Sequence, residues 1–162
     1  GRWDIIDGVI SQQSLATDHR AFFGDPNWRN YEFELEAKKT GGAEGFLIIV
    51  GAKDSKNLYW VNIGGWGNTQ STIEHEVNGN RSVIRQFVPE SLETDIWYNI
   101  RIAFRANRLE YYRNGQLVFT ENVGGKGMVG LGTWATSAEF RNLKVRALDG
   151  SWEYKPEIWI KE

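Results

Sequence analysis

The chain has 162 residues, no cysteine and a formal net charge of −2, from 19 basic and 21 acidic side chains. A chain of this length makes one domain of ordinary size with enough buried surface to need no disulfide staples. The near-neutral charge gives no basic footprint for nucleic acid or an anionic membrane, and no apolar run is long enough to span a bilayer. The start, Gly1-Arg2-Trp3, shows neither an initiator methionine nor a signal peptide, so the segment reads as part of a longer or matured protein.

Aromatic residues make up 14% of the chain, with 18 glycines and only three prolines, which suits strands joined by tight turns. In chain order, "IDGVI" (6–10) reads as a hairpin turn. "TDHRAFFGDPNW" (17–28) reads as a polar crossing at the edge of the fold. In "NYEFELEAKK", Tyr31, Phe33, Leu35 and Ala37 point one way, and Glu32, Glu34, Glu36 and Lys38 the other. This period of two is that of a half-buried antiparallel strand. "EGFLIIVGAK" is apolar on both faces and predicts a central strand. "NLYWVNI", "STIEHEV", "SVIRQFV" and "MVGLGTW" read as further strands, and "PESLETDI" (89–96) has room for one helical turn.

"WYNIRIAFRAN" repeats the alternation, with Tyr98, Ile100, Ile102 and Phe104 on one side. Asn-Gly at 114–115 is a strong hairpin signal, and "VNGN" (77–80) is similar. In "AEFRNLKVRAL" the spacing of Phe140, Leu143 and Val145 implies a bulge near Asn142. The prediction is all-β: a two-sheet antiparallel sandwich over residues 1–148. Residues 149–162, with Trp152, Tyr154 and Trp159, form a tail that packs back or begins a linker.

Catalytic chemistry has little support. Nucleophile elbows, zinc motifs and phosphate loops are absent from the sequence. Glu74 and Glu76 share a strand face at a spacing suited to a retaining glycosidase pair, but acidic side chains on a wet strand face are common. His75 is in phase with Ile73 and Val77 and reads as a core residue, as do Trp60 and Trp97 within their strands. No metal is required. Calcium is a candidate for the loop oxygens of Asp25 with Asn27, or Asp54 with Asn57, although neither stretch matches a calcium loop.

The unusual feature is Gly64-Gly65-Trp66-Gly67-Asn68. A large indole among glycines has no neighbouring side chains to enclose it. A flat ring covers the apolar face of a sugar, while amide, carboxylate and guanidinium groups bond its hydroxyls. Trp66 with Asn68 supplies one wall of such a site, and Trp134 in "GTWATSAEF" a second. Glu44, in the "TGGAEG" loop, Glu74 and Arg20 supply hydrogen-bonding groups.

Five stretches carry a family likeness: "WDIIDGVISQQS", "RAFFGDPNWRNYEFELEAKKTGGAEGFLIIVG", "YWVNIGGWGNTQSTIE", "WYNIRIAFRANRLEYYRNGQLV" and "GMVGLGTWATSAEFRNLKV". Together they span residues 3–146 and resemble the concanavalin A-like, laminin-G-like carbohydrate-binding modules of bacterial glycoside hydrolases. The likeness is greatest to the non-catalytic modules of family 51 α-L-arabinofuranosidases, and more distant to family 66 carbohydrate-binding modules. The resemblance implies a jelly-roll sandwich that holds the non-reducing end of a furanose-containing chain such as arabinan, arabinoxylan or levan. It also implies secretion, with the module covalently attached to a catalytic one. The same fold carries glucanases, whose E-x-D-x-x-E pattern "IEHEVNG" lacks. A second catalytic relative, the 3-keto-disaccharide hydrolase-like sandwiches, resembles "GRWDIIDGVI" at the N-terminus only. A plain spacer module is a third reading.

Overall fold

The computed structural model describes residues 2–156. Fifteen strands lie among them. The first eight are β1 (Trp3–Ile6), β2 (Val9–Gln12), β3 (His19–Phe23), β4 (Tyr31–Gly42), β5 (Phe46–Asp54), β6 (Asn57–Gly64), β7 (Gln70–Val77) and β8 (Asn80–Val83). The remainder are β9 (Val88–Pro89), β10 (Trp97–Phe104), β11 (Leu109–Arg113), β12 (Gln116–Glu121), β13 (Met128–Thr133), β14 (Thr136–Ala147) and β15 (Glu153–Tyr154).

All pairings are antiparallel. One sheet runs β1-β2-β14-β4-β10-β11-β12, with β15 beside β14. The other runs β3-β13-β5-β6-β7-β8, with β9 beside β7. The alternation read from the sequence is what packs them. Phe33, Leu35, Ile100 and Ile102 of the first sheet meet Phe46, Ile48, Val61 and Ile73 of the second in one buried core. β5 is central, between β13 and β6, and both of its faces are covered. Three hairpins turn at Asp7-Gly8, Asn78-Gly79 and Asn114-Gly115, each with both φ values positive, the pair a type I′ turn requires. The bulge at Asn142 is present, with φ 56° and a register shift between Arg141 and Lys144.

Four expectations are corrected. Residues 89–96 hold no helical turn; the one helix-like turn is Gly65–Asn68, and it is left-handed at Trp66, Gly67 and Asn68. The strand expected over 82–88 leaves the ladder after Val83, where the Arg85 carbonyl accepts the Thr72 hydroxyl instead. Residues 19–23 do not cross an edge but form one: β3 pairs with β13 alone. Trp97 lies on the outer face of the first sheet, opposite in phase to Tyr98, with Lys38 and Arg141 packed over its ring.

The outer face of the first sheet is a lattice of ion pairs. Glu32 is held by Arg101 and Arg146, Glu36 by Arg141, and Lys38 by Glu139. Glu34 accepts from the Asn99 amide at 3.2 Å and faces Lys144 at 4.0 Å, so the three strand glutamates of β4 are cross-strand partners.

The segment after residue 148 packs back as far as Tyr154. Trp152 stacks on Trp28 at 5.0 Å, Tyr154 meets the same ring edge-on at 5.0 Å, and β15 pairs with Val145 and Arg146. Trp159 lies outside the described residues. Trp152→Ala should lower unfolding stability by about 1–3 kcal/mol, less than the 3–5 kcal/mol of a fully enclosed tryptophan, because the ring is half-buried. A denaturant melt measures it; no change would mean the docking is dispensable.

Candidate functional site

The second sheet has a second apolar layer on its outer face. Leu47, Ile49, Leu58 and Trp60 lie there, out of phase with the inter-sheet core. Trp60 is fully buried, though not between the sheets. Its indole lies flat because β13 has Gly132 beneath it, where a Cβ would stand 2.6 Å from the ring. The guanidinium groups of Arg20 and Arg81 cover it, each 4.5 Å from the ring centroid.

The Glu76 carboxylate joins these groups. It accepts from Arg20 Nη1 at 2.7 Å and Nη2 at 2.9 Å, from Trp60 Nε1 at 3.1 Å and from Arg81 Nε at 3.4 Å. Burial alone would push its pKa up. The hydrogen bonds from Arg20 and Trp60, with the charges of Arg20 and Arg81, outweigh burial and hold the carboxyl below its ordinary range.

Beside this ladder opens a cavity of about 310 Å³, lined by Glu44, Leu47, Asn62, Trp66, Glu74, Arg81 and Trp134. Leu47, Asn62 and Glu74 form its floor on β5, β6 and β7. Trp66 and Trp134 stand at its rim, 42% and 37% exposed, on the turns after β6 and β13. The Trp66 turn works as follows. Gly64 (φ 70°), Trp66 (φ 50°), Gly67 (φ 73°) and Asn68 (φ 62°) are left-handed, and the turn they make carries the indole off the end of β6. The Thr69 hydroxyl caps the Trp66 carbonyl at 2.8 Å, and Phe87 meets the indole at 4.7 Å, nearly perpendicular. Glu44 Oε2 accepts the Gly67 N–H at 3.1 Å. Glu44 thus fixes the turn with one oxygen and keeps Oε1 without a protein partner among the described residues.

Glu74 is 8% exposed, and its Oε1 accepts from Asn62 Nδ2 at 2.8 Å. Oε2 has no protein partner among the described residues. Arg81 lies within 5.3 Å of the Trp134 ring as well as over Trp60. Its Nε hydrogen-bonds Glu76 and its Nη2 stands 3.7 Å from Asp18 in an ion pair, which leaves Nη1 with donors to offer.

Four residues singled out from the sequence, Trp66, Glu44, Glu74 and Trp134, therefore meet in one cavity. Two others are engaged elsewhere. Arg20 spends all five of its N–H donors on Asp18, the Ser55 carbonyl and Glu76. Asn68 turns its amide away and bonds both the N–H and the carbonyl of Leu92 at 2.8 Å. Sequence reasoning missed Asn62 and Arg81. Arg81 follows the Asn78-Gly79 turn and pairs across strands with Glu76, a register that the turn itself sets.

His75 is half-buried and stacks on Tyr59 at 4.3 Å. The loop carboxylates cap their own turns: Asp25 accepts the Asn27 N–H at 2.8 Å, and Asp54 those of Lys56 and the Asn57 amide. Among the described residues no group of three or more His, Cys, Asp or Glu side chains is placed to hold a metal.

Two outcomes are expected of the ladder. Arg20→Ala should destabilise the fold by about 1–3 kcal/mol, the cost of leaving the buried Glu76 short of partners, while ligand affinity of the folded variant changes little. Since the folded-state pKa of Glu76 lies below the unfolded one, its stabilisation is present above about pH 4.5 and is lost as pH falls through the folded value. Melts from about pH 5 downward should steepen for the native chain and flatten for Glu76→Gln.

Comparison with known proteins places these features. A family model for the 3-keto-alpha-glucoside-1,2-lyase-like domain matches residues 1–146, so that likeness is not confined to the N-terminal stretch. An extracellular exo-alpha-L-arabinofuranosidase of Streptomyces chartreusis is 38% identical over 117 residues. The match takes in 72% of this chain but only 14% of that enzyme. Among solved structures, the carbohydrate binding module CBM66 from Bacillus subtilis superposes with a TM-score of 0.71 at 21% identity, covering 88% of this chain and 89% of that one. A putative glycosyl hydrolase from Parabacteroides distasonis gives 0.64 at 18% identity, with 90% of each chain covered. At these identities the structures speak for the fold. The sandwich, its outer-face cavity and the match along residues 1–146 together make this chain a member of the 3-keto-alpha-glucoside-1,2-lyase-like domain family, with the fold of a carbohydrate-binding module related to glycoside hydrolase components.

Proposed function

We propose that the chain is a non-catalytic carbohydrate-binding module that holds one terminal sugar of a neutral, furanose-containing polysaccharide such as arabinan, arabinoxylan or levan. In this reading it is secreted and covalently attached to a glycoside hydrolase, which it brings to the polymer. The observation that carries the proposal is the cavity of about 310 Å³ with two part-exposed indoles at its rim and polar groups on its floor. That volume is at the low end for ligand pockets and suits a single sugar residue. The indoles supply surfaces for sugar C–H groups. Glu44 Oε1 and Glu74 Oε2 accept from hydroxyls, and Arg81 donates to a ring or hydroxyl oxygen. The relative from Streptomyces chartreusis, an exo-acting arabinofuranosidase by its name, supports the chain-end reading and the attached enzyme.

The neighbouring carboxylate argues against hydrolysis. A glycosidase needs one carboxyl kept protonated as general acid. Glu76, two residues from Glu74 on the same face, is instead held ionised by Arg20 and Arg81. One observation favours the second reading, an enzyme: Glu44 and Glu74 line the same cavity. Release of reducing sugar that disappears in both Glu44→Gln and Glu74→Gln would establish it over the binding module.

For the binding module, Trp66→Ala and Trp134→Ala should each weaken affinity by about 1–3 kcal/mol, by analogy with base–aromatic stacking. Glu44→Gln should cost about 1.5–3 kcal/mol, the range for hydrogen bonds to charged groups. Stability should move little, since both rings are part-exposed. A glycan array finds the ligand and calorimetric titration measures the losses. An array with no sugar bound would leave only the spacer reading.

A further inference from the structure

A second, larger cleft lies at the sandwich edge where β9 and β12 face each other. It has a volume of about 510 Å³, and its lining includes Thr69, Ser91, Arg113, Gln116 and Leu117. From this cleft we infer a second saccharide subsite, which takes the neutral sugar residues following the one in the indole-rimmed pocket. The inference rests on the proposed reading of that pocket.

Position is the first argument. Phe87 touches Trp66, and Pro89, two residues on, lines the cleft. Phe87 and Pro89 are both exposed with half-buried Val88 between them, so they share the outward side of one extended segment. Two residues of extended chain span about 7 Å. An exposed apolar track therefore leads from the Trp66 rim over Phe87 and Pro89 to Leu117, which is 51% exposed on the cleft's far wall.

Rigidity is the second. The cleft and the Trp66 turn share one hydrogen-bond chain. The Gly64 N–H donates to Ser71 Oγ, and Ser71 Oγ to Glu90 Oε1. Glu90 also accepts from the Tyr111 hydroxyl and, at 3.1 Å, from Arg113 Nη1. The Glu90 N–H bonds the Thr69 carbonyl. A wall fixed in this way needs no ordering when ligand arrives.

Chemistry is the third. Arg113 donates to protein only through Nη1, to Glu90 and the Ser91 carbonyl, which leaves Nε and Nη2 unpaired among the described residues. The Ser91 hydroxyl and Gln116 amide also have no partner there. Because Glu90 balances the charge of Arg113, the cleft offers hydrogen bonds without net charge, next to the C–H surfaces of Pro89 and Leu117. That combination fits a neutral glycan rather than a phosphate or uronate.

The test is a ¹⁵N-resolved NMR titration with arabinose, α-1,5-linked arabino-oligosaccharides and levan oligosaccharides of increasing length, with affinities by calorimetry. The indole N–H signals of Trp66 and Trp134 should shift with every binding sugar. The Gln116 side-chain and Ser91 backbone amides should shift only with chains, and affinity should rise about three- to tenfold with length, as one or two added hydrogen bonds would give. The double variant Ser91→Ala, Gln116→Ala should lose that rise and keep the affinity for the shortest ligand. Indole shifts with a silent cleft and flat length dependence would overturn the second subsite and leave the pocket standing. Cleft shifts without indole shifts would overturn the pocket and, with it, the cleft's role as the subsite that follows it; silence at both would overturn both.

Discussion

Much of the outer face depends on one buried carboxylate. Glu76 takes the Trp60 indole N–H and two guanidinium groups at once. A tryptophan on the outside of a sheet would ordinarily expose a large apolar surface. Here the two arginines that Glu76 orients cover it, and Arg81 then reaches on to the ring of Trp134. An ion network of this kind is weak as a source of net stability and strong as a source of geometry. It sets the position of a cationic group at the pocket wall and leaves its Nη1 without a protein partner among the described residues. Without a Gly132 on β13 the indole could not lie flat, and the network would have nothing to close over.

The fold was legible because its rules are local. Period-two alternation identifies the inward side of β4 and β10, and the Asp-Gly and Asn-Gly pairs at 7–8, 78–79 and 114–115 have the positive φ values that these residues tolerate. Even the bulge at Asn142 was visible, as a break in apolar spacing. What failed was non-local. Trp97 looks like a core residue by type, yet its phase puts it outside, where Lys38 and Arg141 on two other strands cover it. Beyond β8 the Arg85 carbonyl accepts the hydroxyl of Thr72, thirteen residues away, which no pattern in "SVIRQFV" announces.

The site divides along the same line. Trp66 was legible because glycine neighbours cannot enclose an indole, and Glu44 because its loop is open. Arg20 and Asn68 have the right chemistry for a sugar, but their hydrogen-bonding capacity is already used within the protein. Residue type gives capacity; only three-dimensional partners show how much of it is left. Arg81 illustrates the converse: it looks like an ordinary residue after a hairpin turn and proves to line the cavity with its Nη1 unspent.

The same accounting bears on the proposed choice of binding over catalysis. The sandwich itself does not decide between them, since one fold hosts unrelated sites. The decision lies in what each carboxylate on the outer face is free to do. Catalysis would ask a pair of them to divide labour, one protonated and one ionised. On β7, Glu76 is held ionised by two arginines, and Glu74 has one oxygen bound to Asn62. Glu44 has one oxygen bound to the Trp66 turn. Glu44 and Glu74 each keep one carboxyl oxygen without a protein partner among the described residues, held in a fixed direction by the other. Under the proposed reading, fixed acceptors facing the same cavity as two indoles serve recognition of a sugar's hydroxyls.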